Sequence, residues 1–99
     1  MVPFRKGLSR AAAERLIRAI AADTSSLVFP WSVAKQMAEA GIAMRQVIAT
    51  LRLGAVVENP VRTEKGDWIC VLRRRSGGLQ VLVEIKPAED RSLTLVGIR

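Results

Sequence analysis

The chain contains no histidine and no tyrosine, one cysteine, and two Trp and two Phe as its only aromatics. Without histidine there can be no Ser-His-Asp triad, no Cys-His nucleophilic pair and no His-containing metal site. Cys70 has no second thiol to pair with inside the chain, which fits a reducing, cytoplasmic setting. No apolar run approaches the roughly 18 residues of a membrane-spanning helix. The opening MVPFRKGLSR has basic residues with no apolar stretch behind them, so neither a secretory signal nor a membrane partner is expected. Gly-rich phosphate loops, internal repeats and low-complexity segments are also missing, and no cofactor or metal is expected.

Positive charge is plentiful. Lys and Arg number 16 against 9 Asp and Glu, a net charge of +7 with a pI near 11.1. Such a balance points to nucleic acid (RNA or the ribosome included), an acidic protein or an anionic surface as the partner class. The 99 residues suit one domain, and their 49% apolar content suffices for a single modest core.

Between Ser9 and about Ala22, residues Ala13, Leu16, Ile17 and Ile20 recur at the spacing of one helix stripe, with Ser9 as N-cap. Arg10, Glu14, Arg15 and Arg18 occupy the opposite side, as a solvated face or a basic docking face. Asp23 to Ser26 reads as a polar linker. A second helix is expected from a Ser32 cap to about Ala40, burying Val33 and Met37 and ended by Gly41. A third begins near Ala43, with Met44, Val47, Ile48 and Leu51 inward and Arg45, Gln46 and Arg52 outward, and closes at Gly54.

Beyond Gly54 the period becomes two. Strands are expected at Ala55 to Glu58, Asp67 to Arg75, Leu79 to Lys86 and Ser92 to Arg99, with Asn59-Pro60 and Thr63 to Gly66 as breaks. A Gly77-Gly78 turn would set Leu72 opposite Val83 and Cys70 opposite Ile85. Trp68, Cys70, Leu72, Val81, Val83 and Ile85 then share an apolar face, while Arg73, Arg75, Gln80, Glu84 and Lys86 lie on the other among Ile69, Val71 and Leu82. Helices followed by strands predict an α+β domain, three helices packed on a four-stranded antiparallel sheet.

The stretch FPWSVAKQMAEAGIAMRQVIATLRLGAVVENP resembles the 4258 family of domains of unknown function, relatives of the bacterial BrnT toxins in the RelE/ParE-like superfamily. The likeness rests on Met37 to Ile42, on the helix with Val47 and Leu51, and on Gly54 to Glu58, and it spans about 29–99. It implies a RelE/BrnT-toxin-like core at 27–99, preceded by a helix and linker at 1–26 that lie outside the likeness and suggest a docking element. The family's helix usually carries a His where this chain has Ser32, an Arg where it has Gln36 and another where it has Ala40. All three differences remove charge or a titratable group.

The superfamily includes messenger-cleaving toxins that work on a basic sheet face, so the resemblance implies RNA cleavage as the chemistry to test. With no His or Tyr, Glu84 and Lys86 are the remaining catalytic candidates, and an unperturbed Lys is a poor proton donor at neutral pH. Phosphate binding asks less, and Arg73, Arg74, Arg75, Lys86 and Arg99 are the candidate nucleic-acid contacts, extended by Arg45, Arg52, Arg62 and Arg91 if these share a face. The expected function is binding of RNA or a ribonucleoprotein through the basic sheet face, with an incomplete acid-base set for cleavage. The alternative is a catalytically inactive partner of an acidic, antitoxin-like or target protein.

Overall fold

A computed structural model describes residues 8–74, 78–86 and 92–98, without the side chain of Lys86. Helix α1 spans Arg10–Ala21, and Ser9 caps it by accepting a hydrogen bond from the Ala12 N–H at 3.1 Å. A 3-10 turn at Thr24–Ser26 replaces the expected featureless linker, and strand β1, Leu27–Val28, follows directly. Helix α2 covers Trp31–Ala40. Its N-cap is Pro30 rather than the expected Ser32, because the fixed backbone angle of proline already opens the first turn. Gly41, at φ 68, ends α2 in the left-handed conformation while the Ile42 N–H bonds the Met37 carbonyl at 2.9 Å.

Helix α3 runs Met44–Leu53, its entrance closed by Gln46 Oε1, which accepts from the Ala43 N–H at 2.7 Å. Gly54 follows it as C-cap, and the position has no room for a side chain. A Cβ there would stand 2.5 Å from the Thr50 carbonyl oxygen and 3.1 Å from that of Arg73, so backbone crowds the position from two elements. Strands β2, Ala55–Val56, β3, Val61–Arg62, β4, Trp68–Arg73, β5, Gln80–Lys86, and β6, Ser92–Ile98, complete the chain.

The architecture is α+β, three helices against one mixed sheet in the order β1-β6-β5-β4-β2, with β3 also on β4. Six described strands stand where four were expected, and β1 pairs parallel with β6. Strands of two residues carry no readable alternation, so β1 and β3 leave no pattern in the sequence. The β4–β5 register differs from the expected one by two residues. Leu72 faces Val81 and Cys70 faces Val83. A shift of two preserves the faces, so alternation cannot detect it; the implied turn falls outside the described residues.

One core results. Trp68, Cys70, Leu72, Val81, Val83, Ile85, Leu93 and Leu95 pack against Ala13, Ile17 and Ile20 of α1, Val33 and Met37 of α2, and Val47 and Leu51 of α3. The inward stripe of α3 is Val47, Thr50 and Leu51; Met44, expected inside, is 51% exposed and Ile48 half-buried.

Candidate interaction face of the sheet

All three helices pack on the Trp68–Cys70–Leu72 side of the sheet. The register therefore assigns a second, helix-free face. Across it run Val61, Ile69, Glu84, Thr94 and Val28 in one row, and Val71 and Leu82 in the next, with Val57 donating its N–H to the Val71 carbonyl at 2.9 Å. Gly97, paired with Leu82 beside a register irregularity, instead has Gln36 of α2 3.5 Å from where a Cβ would stand. Arg73 and Gln80 form the row beyond, beside Ala55. Val61 is 63% exposed and Val28 46%. Val71 is buried although it lies outside the helix-side core. Ile69, Leu82, Glu84 and Thr94 are half-buried, so the exposed groups of these rows are Val61 and Val28 at the two edges and Arg73 at one end. The mixture of apolar and charged positions is the one expected from the sequence for Arg73, Gln80 and Glu84.

The candidate site residues do not gather. Arg73 is exposed at the end of β4, and Arg74, half-buried, follows it. Glu84 sits between Ile69 and Thr94 with no cation as a cross-strand neighbour. Its partner Ile69 lies four residues from Arg73, roughly 14 Å along the strand. The backbone of Lys86 pairs with Ser92 at the far end of β5, six residues or roughly 20 Å from the Gln80 that faces Arg73. Glu84 and Arg73 therefore stand apart along the sheet, and the backbone of Lys86 lies farther still from Arg73. Arg75 and Arg99, together with Arg91, lie outside the described residues.

Four further arginines, Arg10, Arg18, Arg52 and Arg62, are engaged on different surfaces. Arg52 donates from Nε to the Ala21 carbonyl at 2.9 Å and from Nη2 to that of Ala22 at 3.5 Å, closing the end of α1. Arg62 stands over the Trp68 ring at 5.8 Å. Arg10 donates to Asn59 Oδ1 at 3.0 Å, and Arg18 to the Gly54 carbonyl at 3.3 Å while pairing with Glu14 at 3.2 Å. Glu14 also accepts the Val56 N–H at 3.1 Å. One side of α1, expected to be solvated or free for docking, instead braces the 54–59 segment. The spacing of Arg10, Glu14 and Arg18 showed a common side but not what it would meet.

Of the three positions where the resembling family carries polar groups, Ser32 and Ala40 are exposed on α2. Gln36 has a structural task that sequence reasoning missed, accepting the Ile98 N–H at 3.3 Å and so bracing α2 against β6. Trp31, 76% exposed with Lys35 5.4 Å over its ring, is the one solvent-facing ring among the described residues. Trp68 is buried and Phe29 packs on the core, so stacking surface for bases is scarce.

Burial pushes the Cys70 thiol up to about 12, which leaves it a small apolar core residue rather than a nucleophile. Hydrogen bonds from the Ser25 hydroxyl and N–H hold the Asp23 carboxyl below its ordinary range, and they serve the 3-10 turn. Among the described residues no group of His, Cys, Asp and Glu could hold a metal ion, and no helix is long and apolar enough to cross a membrane. No family model, curated protein or solved structure matches the chain.

Proposed function

We propose that this protein is a non-catalytic binding module that docks an acidic protein on the helix-free face of its sheet. The carrying observation is that face itself, with Val61 and Val28 exposed at its two edges, Ile69 and Leu82 half-buried between them, and Arg73 exposed at one end. Partly exposed apolar side chains with a charged flank suit a protein-protein contact. The net charge of +7 favours encounter with a negatively charged partner. In the terms of the resemblance, the chain is a BrnT-like, RelE-superfamily-like protein that retains contact and lacks cleavage chemistry. Glu84, distant from Arg73 along the sheet, supports that reading.

RNA or ribonucleoprotein binding is the competing outcome, supported by Arg73 and Arg74 standing together at one strand end. Both are tested by recovering partners from cell extract with the tagged chain, beside Val61→Glu/Ile69→Glu and Arg73→Ala/Arg74→Ala, with and without ribonuclease. Recovery of an acidic protein that resists ribonuclease and falls about tenfold or more in Val61→Glu/Ile69→Glu, with unchanged circular dichroism, supports the proposal. Recovery that needs RNA and depends on Arg73 and Arg74 replaces it with the RNA reading. Binding indifferent to both pairs of substitutions removes the sheet face from the function.

A further inference from the structure

On the opposite layer, α3 carries more apolar surface than the core absorbs. Val47, Thr50 and Leu51 face inward, while Ile48, Ala49 and Leu53 line a groove of about 440 Å³ with Thr24, Arg45 and Arg52. Leu53 is 66% exposed. The groove is preformed on one wall, because the Arg52 guanidinium is anchored to the Ala21 and Ala22 carbonyls. Arg45 to Leu53 is eight residues, roughly 12 Å or two turns of helix.

We infer that this groove receives an acidic amphipathic helix of a partner protein. Two features select that occupant. The lining contains two arginines and no acidic side chain, so it complements negative charge at both ends of an apolar floor. The floor is also open, with most of Leu53 in solvent; a small amphiphile would leave it uncovered, whereas a helix presenting apolar anchors at i, i+3 or i+4 and i+7 covers two turns of α3. The contact is independent of the sheet face, which lies on the other side of the molecule from α3.

The test is selection from a displayed library of helical peptides against the whole chain, with Leu53→Asp as the counter-target. Leu53 and Arg45 are solvent-facing, so Leu53→Asp and Arg45→Glu leave the core intact. The expected winners carry leucine or isoleucine at helical spacing with flanking Asp and Glu. Their affinity should fall about tenfold or more in each groove variant and stay unchanged in Val61→Glu. Failure to enrich above the counter-target overturns the inference, as does enrichment of peptides whose binding ignores Leu53 or depends on Val61. Decanoate is the second probe. If it saturates the amide signals of Ile48 and Ala49 while no peptide does, the groove is a small-amphiphile site and the inference fails.

Discussion

Thr50 is the residue that sets the rotation of α3. Its hydroxyl donates to the Gln46 carbonyl one turn back at 2.9 Å, so a polar side chain enters the core already satisfied. With Thr50 inside, the stripe turns away from Met44. Leu51→Ala should therefore cost about 2 to 5 kcal/mol in denaturant unfolding, and Met44→Ala under about 1 kcal/mol. Equal losses would contradict this orientation. A sequence pattern that counts apolar residues selects Met44 over Thr50, because it has no access to a hydrogen bond made within the helix.

Cys70 gives a second test at the same scale. A thiol raised in the folded state to about 12 from an ordinary value of 9.0 contributes its full stability below pH 9 and loses it as pH rises toward 12, since only the unfolded chain readily forms the thiolate. The stability difference between the native chain and Cys70→Ala should narrow over that window in unfolding experiments at stepped pH. Native Cys70, buried with its thiol held protonated, should also be alkylated far more slowly at pH 8 than the same residue in the unfolded chain.

At the scale of elements, α1 is held to β2 by polar contacts as well as by its buried side. Glu14→Ala removes the acceptor of the Val56 N–H, and leaving that donor unpaired should cost about 1 to 3 kcal/mol. The ion pair with Arg18, which is 46% exposed, adds little. Amide exchange at Val56 should accelerate in Glu14→Ala and stay unchanged in Arg15→Ala, where the side chain is exposed. The three helices and the long strands β4, β5 and β6 were legible because their periods run over six residues or more. β1 and β3 were not, since their two residues pair only because β6 and β4 are already in place.

The whole molecule decides what can be separated from what. Ala13, Ile17, Ile20 and Ala21 are buried in the same cluster as Leu51, Leu72 and Ile85. Removing residues 1–26, which the sequence presents as a detachable docking element, should abolish cooperative unfolding and the dispersed amide spectrum rather than leave a folded sheet. A deletion that keeps a sharp transition would show that α1 is peripheral. Function must accordingly be dissected by surface substitutions on the sheet face or on α3, since α1 carries core and bracing roles together.

Local chemistry by itself determined the kinds of element, the caps at Ser9 and Gly41, the partition of β4 and β5 into an apolar and a mixed face, and the exclusion of histidine-based catalysis. Each depends on residue type and near-neighbour spacing. Tertiary structure alone decided the two-residue register, the parallel β1–β6 edge, the engagement of Arg10, Arg18 and Arg52, and the separation of Arg73 from Lys86 along the sheet. Those outcomes depend on which distant surfaces meet, and alternation is degenerate toward them: a strand moved by two residues buries the same faces but carries every charge to a new place.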